Sequence, residues 1–339
     1  MKDYIISTAL DQILAEHPYA EDFFTSIGIK NFSKNQTIVE FLDGFNDDRI
    51  EDLGMDRTQI IAHFVAFMIK MNELKKKSGF TVQEITLIGG HDKSGNPENI
   101  TLSMKPGEII CIVGPTGSGK SRLLADIECL AQKDTPTGRQ ILINKMVPLQ
   151  DKRFSIEHKL VAQLSQNMNF IMDLTVHEFL TMHAESRMVP DIEEVVKTIA
   201  GCANELAGEK FTMDTPVTSL SGGQSRALMI ADTALLSSSP VVLIDEIENA
   251  GVDRKKSLEL LVKKEKIVLM STHDPILALM GDKRIVIKNG GVSKIIDTSL
   301  KERGNLDYLQ LLDGRLVELR NMLRSGEKIE FDIAEFFRE

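Results

Sequence analysis

Apolar residues in the first part of the chain recur at helical spacing: Leu10, Ile13 and Leu14, then Phe23 and Phe24, then Ile38, Phe41 and Leu42, then Ile61, Phe64, Val65 and Met68. His17-Pro18, Gly28, Gly44 and Gly54 interrupt these stripes. The pattern predicts a separate all-α domain over residues 1–74, with partner recognition as its expected role. A basic linker follows at 75–79, Lys75-Lys76-Lys77-Ser78-Gly79. The run Ile60–Met71 is apolar, but it is short and holds His63 and Lys70, so it predicts a buried core helix and not a membrane span.

From Phe80 the period changes to that of strands. Thr81–Leu87 and Ile100–Met104 alternate, Lys105-Pro106-Gly107 turns the chain, and Glu108–Val113 is a buried strand. A helical stretch follows over 121–132, another begins at Met188, and Val241–Ile244 and Ile267–Met270 are further apolar strands. Beyond Val286 come a polar turn, Asn289-Gly290-Gly291, and a last helical segment. There Leu309, Leu312, Leu316, Leu319 and Leu323 step by three and four, a short seam with Gly314 inside it. Packing on its own domain is expected for this seam, with a dimer contact as the alternative. The alternation of strands and helices predicts an α/β domain over 80–300, with a helical subdomain at about 167–225 and a helical extension over 301–339.

Composition narrows the function classes. The 339 residues are 42% hydrophobic, which suffices for a large core, and the net charge of -10 opposes whole-chain affinity for nucleic acid or acidic lipid. Met1–Leu10 carries Asp3 and precedes Asp11 and Glu16, unlike a signal peptide. No run reaches the roughly 18 apolar residues that span a bilayer, so a cytoplasmic location without an intrinsic membrane segment is expected. Cys111, Cys129 and Cys202 form no CxxC pair and are expected as reduced thiols.

The candidate chemistry lies in five segments. Gly114-Pro115-Thr116-Gly117-Ser118-Gly119-Lys120-Ser121, with Arg122 following, stands between a strand and a helix, the setting of a phosphate loop. Its backbone N–H groups would converge on a β-phosphate, Lys120 would neutralise β- and γ-oxygens, and Ser121 would ligate Mg²⁺. Asp245-Glu246 ends the apolar strand Val241–Ile244: Asp245 suits the Mg²⁺ shell, and Glu246 suits the orientation or deprotonation of an attacking water. Leu220-Ser221-Gly222-Gly223-Gln224 is a second anion-binding glycine motif at a helix start, Gln166 sits in Val161-Ala162-Gln163-Leu164-Ser165-Gln166, and His273 follows the apolar strand Ile267–Met270 in Ser271-Thr272-His273-Asp274.

Over residues 80–300 these motifs resemble those of the ATP-binding cassette (ABC) ATPases, whose signature is LSGGQ. The resemblance implies a P-loop NTPase core of ABC type with a mixed sheet, ATP and Mg²⁺ as ligands, and ATP hydrolysis. It implies that Ser221, Gly222, Gly223 and Gln224 serve the γ-phosphate held by a second cassette, a homodimer being expected. Gln166, favoured over Gln163 by its spacing from Leu174-Thr175-Val176, would sense Mg²⁺ and the γ-phosphate, and His273 would clamp that phosphate. The N-terminal region resembles small helical domains of unknown function found beside redox and metal-enzyme components, but it has no cysteine.

Four features depart from the transporter pattern, one being the replacement of the family's basic residue in the helix after the signature, around Ala231-Asp232-Thr233. Ile247-Glu248-Asn249-Ala250-Gly251-Val252-Asp253 replaces the usual run after the catalytic Glu, which leaves the D-loop role of Asp253 open. The helix expected at about Arg254–Lys264 is short, and no Tyr stands near Leu87–His91 to stack on adenine. The expected function is a mechanochemical ATPase acting on a protein client. The alternative is the nucleotide-binding subunit of a membrane transporter docked on a permease, and a DNA-repair-type ATPase is the third reading.

Overall fold

The computed structural model describes residues 2–17, 19–29, 35–77, 81–150, 153, 159–165, 170–245 and 251–337. Ser78 and Gly79 of the linker, Gln166 and Glu246 lie outside the described residues. The chain divides into two compact units. One comprises Met1–Thr81 with Glu185–Ile192, and the other Val82–Ala184 with Glu193–Glu339.

The first unit contains helices α1 (Lys2–Ser7), α2 (Leu10–Glu16), α3 (Ala20–Ser26), α4 (Ile38–Asp43), α5 (Asp47–Asp52) and α6 (Arg57–Lys77). Its short helices depend on local capping and a shared core. Thr37 and Glu40 form a reciprocal capping box at the start of α4. Phe23, Phe24, Phe41 and Phe64 converge in that core, with ring centroids of Phe24 and Phe64 5.1 Å apart. Ile60, Phe64, Val65 and Met68 of α6 are buried in it as their spacing requires. Among the described residues no helix is long and apolar enough to cross a membrane.

The second unit is built on β1 (Ile85–Ile88), β2 (Thr101–Met104), β3 (Ile109–Val113), α7 (Lys120–Glu128), β4 (Gln140–Ile143), β5 (Val161–Leu164), α8 (Val176–Ser186), α9 (Ile192–Leu206), α10 (Gly222–Leu235), β6 (Val241–Asp245), α11 (Arg254–Lys263), β7 (Ile267–Ser271), α12 (Pro275–Met280), β8 (Lys283–Lys288), β9 (Gly291–Asp297), α13 (Leu300–Arg324) and α14 (Ile333–Phe336). Six strands form one sheet in the order β5-β6-β7-β3-β8-β9, parallel except for the β8–β9 hairpin. An antiparallel sheet, β2-β1-β4, is separate.

The central strands are apolar throughout because both of their faces are covered. Ile110, Ile112, Leu243 and Leu269 enter one core layer with α7 and the small sheet. Cys111, Val242, Ile244 and Met270 enter the other with α10 and α11. Cys111, Cys129 and Cys202 are all free thiols, and burial pushes those of Cys129 and Cys202 up. The second unit is the expected α/β fold with a mixed sheet, and α8, α9 and α10 stand between β5 and β6 along the chain.

The C-terminal seam packs on its own unit only in part, with Leu309, Leu312 and Leu319 half-buried. No residue of α13 is buried, and Leu316 and Leu323 are 41% and 58% exposed. Ion pairs add to that packing, Glu302 with Arg284 and Asp313 with Arg254.

Candidate functional site

Parallel strands deliver their loops to one edge of a sheet, and here the four adjacent strands β5, β6, β7 and β3 do so. β3 ends at Val113 and feeds the phosphate loop. β6 ends at Asp245, which is in register with Ser271 at the end of β7, just before His273. β5 ends at Leu164, just before Gln166. Gln163 lies inside β5, and its side-chain amide faces the Glu128 carboxylate. The carboxyl edge thus gathers the phosphate loop, Asp245 and His273, together with the strands leading to Gln166 and Glu246.

The phosphate loop closes on itself. Ser118 N–H donates to Pro115 O at 3.1 Å, and the Lys120 ammonium donates to Gly114 O at 2.9 Å and Pro115 O at 3.4 Å. Gly119 takes φ 109 at the start of α7, and a Cβ there would stand 2.9 Å from Gly290 Cα, so only glycine suits the position. Ser118 Oγ is buried without a hydrogen-bond partner, as is Ser271 Oγ beside Asp245. Ser121 and Arg122 are exposed at the first turn of α7, as are Pro115, Thr116 and Gly117 in the loop. These features fit a triphosphate. Its oxygens can replace the loop carbonyls around Lys120 and reach the unsatisfied Ser118 hydroxyl, while Ser121 and Asp245 offer oxygen donors suited to Mg²⁺.

Ser221 caps α10. Its Oγ accepts from Gln224 N–H at 3.3 Å, and Gln224 Oε1 accepts from Ser221 N–H at 2.9 Å. Gln224 also donates to the carbonyls of Glu209 and Lys210 at 3.3 and 3.4 Å. Gly222 and Gly223 thereby occupy a fixed first turn of a 14-residue helix, with N–H groups available to an anion. Arg226, one turn on, is buried and donates to Ser165 O at 3.3 Å, which joins the signature helix to the residue before Gln166. Asp253 caps α11 by accepting from Lys256 N–H at 3.0 Å, and its own N–H donates to Leu206 O at 2.8 Å.

Beside the phosphate loop lies a buried ion cluster. Arg139 makes two bonds to Glu98, at 2.6 and 2.9 Å, one to Asp126 at 2.9 Å and one to Gly290 O at 2.8 Å. Burial pushes the Glu98 carboxyl up, but Arg139 and the N–H groups of Gly90 and Val292 outweigh it and hold the group below its usual range. The cluster fixes the segment 89–98 against α7 and the β8–β9 turn. Lys93 of that segment donates to Gly117 O at 3.2 Å. A cavity of about 420 Å³ opens beside Gly119, with His91, Lys93, Arg122 and Thr137 in its wall.

The chain matches the ABC transporter family over residues 97–249. It is 52% identical over 249 residues to an uncharacterized ABC transporter ATP-binding protein of Methanocaldococcus jannaschii, an alignment covering 73% of this chain and 95% of the relative. The chain belongs to the ABC transporter ATPase family. A second ATP-binding protein of that organism is 33% identical over 58% of this chain and 87% of its own length. A solved structure, cbiO1 of Clostridium perfringens, part of the ABC transporter complex cbiONQ, has a TM-score of 0.51 at 22% identity, covering 71% of this chain and 99% of that one; it shows the fold alone. The chain is an ABC ATPase that binds and hydrolyses ATP. These relatives lend no support to the expectation of a soluble protein client.

At two positions of Leu87–His91 this ABC cassette has a steric reason to lack an aromatic. A Cβ on Gly89 would stand 2.1 Å from Glu98 O, and one on Gly90 would stand 1.9 Å from Thr137 O, so neither position admits a side chain. Lys93, Arg139 and Arg226 were not identified from the sequence. Their partners lie 24, 41 and 61 positions away, beyond any local spacing rule. The Gly89-Gly90 pair was the one local signal of close backbone packing.

Proposed function

We propose that this chain is the ATP-binding subunit of an ABC transporter, working as a pair of cassettes on a separate permease. The observation that carries this reading is the 52% identity to an ABC transporter ATP-binding protein, and the adjacency of β5, β6, β7 and β3, which sets the phosphate loop beside the strands ending at Asp245 and Ser271, supports its ATP chemistry. The names of the curated relatives favour a transporter over a soluble client.

In this reading the N–H groups of 114–119 and the Lys120 ammonium bind and orient the β- and γ-phosphates. Ser121, Gln166 and Asp245 would hold Mg²⁺, which when bound neutralises phosphate oxygens as a Lewis acid. Glu246 accepts the proton of the attacking water, and His273 keeps that water and the γ-phosphate aligned. Ser221, Gly222 and Gly223 of the partner subunit complete the cradle with hydroxyl and N–H donors.

Glu246→Gln tests the composite site, since it removes the proton acceptor and leaves the binding groups in place. ATP affinity is expected to persist, turnover to fall at least about a thousandfold, and an ATP-dependent dimer to accumulate. A variant that hydrolyses ATP at the native rate, or stays monomeric in saturating ATP and Mg²⁺, sinks the scheme. Co-purification with a multi-spanning membrane protein distinguishes the transporter from the client reading.

A further inference from the structure

Helix α13 turns its ion pairs and the half-buried Leu309, Leu312 and Leu319 toward its own unit and leaves a second apolar stripe exposed. Glu302 and Asp313, paired with Arg284 and Arg254, lie on one side of the helix. On the opposite side Leu300, Tyr308 and Leu311 are 89%, 62% and 52% exposed. At 3.6 residues per turn these three share a stripe with Gly304, Asp307, Gly314 and Arg315.

The glycines need a reason. Glycine weakens a helix interior relative to alanine, and a Cβ at Gly304 or Gly314 would meet nothing within 4 Å. Nothing within the unit therefore requires glycine at either place. Close approach of a second helix does, because it brings another backbone to within the radius of a side chain.

We infer that this stripe packs antiparallel on the same stripe of a second copy of the chain, with Leu311 at the twofold axis, and that the contact forms without nucleotide. The charges select a second copy over other occupants. Asp307 and Arg315 are equidistant from Leu311, so reversing one helix sets Asp307 opposite Arg315 of the other copy, and symmetry makes the pair twice. By the same reversal Tyr308 falls opposite Gly314, where the absent side chain leaves room for the ring. A parallel pair would instead set each charge against its own like. Arg315 is already held on the stripe, 3.2 Å from Glu318 and 5.2 Å from the centre of the Phe336 ring. A lipid surface or an apolar permease helix would leave Asp307 facing no cation.

The consequence for the cassette is a tether. The sandwich around ATP closes and opens with turnover, whereas a contact through α13 keeps two copies together between cycles. This inference does not rest on the assigned roles of Glu246 or His273, and its test avoids nucleotide.

Sedimentation of the full chain in nucleotide-free buffer is expected to show a dimer at micromolar concentration. Asp307→Arg should weaken self-association about tenfold, Arg315→Asp likewise, and the double exchange should restore it to within about threefold of the native value. On oxidation Leu311→Cys should join two copies, while Gly304→Cys, which a parallel pair would also join, should not. A monomer at about 100 μM without nucleotide overturns the inference, as does self-association indifferent to both Asp307→Arg and Leu311→Glu, or equal cross-linking at 304 and 311. ATP-dependent dimerisation of Glu246→Gln, measured separately, keeps a failure here distinct from a failure of the transporter reading.

Discussion

Arg254, the first residue of α11, forms an ion pair with Asp274, the residue that follows His273, and its second terminal nitrogen reaches Asp313 of α13 at 2.7 Å. Asp274 is fixed from three other directions. It accepts from Ile276 N–H at 2.7 Å and Leu277 N–H at 3.4 Å, and its own N–H donates to Thr272 Oγ1 at 3.0 Å. The loop that presents His273 is therefore pinned by a cation from the helix that Asp253 caps. Arg254→Ala should lower kcat for ATP hydrolysis about tenfold, a loss of ~1.4 kcal/mol in the transition state, with ATP affinity within about twofold of native. Arg254→Lys keeps the charge but not the fork, and should recover only part of the rate. Steady-state kinetics set beside equilibrium nucleotide binding would show the split, and a rise in KM alone would contradict it.

Lys120 spans from α7 back over the loop to Gly114 O and Pro115 O, the place that phosphate oxygens would take. Lys120→Ala should weaken ATP binding by about 3 kcal/mol, roughly a hundredfold. The melting temperature without nucleotide should stay within about 2 °C of native, because the ammonium is not in the core. Isothermal titration and a thermal melt on the same preparation check both halves. Retained affinity would remove the loop from the nucleotide site.

The difference between the legible and illegible parts of this site is one of range. The strand at Val241–Asp245 is readable because burial on both faces forces an unbroken apolar run, and its end is marked by the change to acid. Ser221 and Gln224 are readable because a capping box closes within three residues. Arg139 is not, since its arginine identity suits a surface as well as a core until Glu98 and Asp126 are brought to it from different elements. The seam of α13 is legible as a helix, and Leu309, Leu312 and Leu319 meet the unit as their spacing implies. The exposure of Leu316 and Leu323 is not legible, because it depends on where the helix runs past the edge of its unit.

The Arg139 cluster makes a prediction about stability and its pH dependence. Arg139 is fully buried, and its removal leaves the Glu98 and Asp126 carboxylates facing each other in the core. Arg139→Ala should cost about 3–5 kcal/mol, and Arg139→Lys should also destabilise because one ammonium cannot make the four bonds of the fork. Because the folded-state Glu98 carboxyl lies below its usual value of 4.5, its contribution is present above that pH and is lost as pH falls through the lower folded value. Urea unfolding of the native chain should therefore lose stability below about pH 4.5. In Glu98→Gln that part of the acid loss should be missing, and an unchanged acid limb would show that Glu98 is not the group responsible.

Gly89 and Gly90 leave no space for a side chain, so within Leu87–His91 neither of them can seat the base of the nucleotide. His91 is the next residue, and its ring lines the cavity of about 420 Å³ beside Gly119 together with Arg122. A purine extending from the phosphate loop into that cavity would meet an imidazole and a guanidinium in its wall, both of which stack on π faces. His91→Ala should raise the ATP dissociation constant about three- to tenfold, the value of one lost stacking partner at ~1 kcal/mol, while inorganic triphosphate binding stays unchanged. His91→Tyr should restore affinity or exceed it, since a larger ring covers more of the base without disturbing Gly89 or Gly90. Gly90→Ala should instead destabilise the whole unit, because its Cβ would stand 1.9 Å from Thr137 O in the segment that Glu98 anchors. Equal ATP affinity in the native chain and in His91→Ala would place the base outside this cavity.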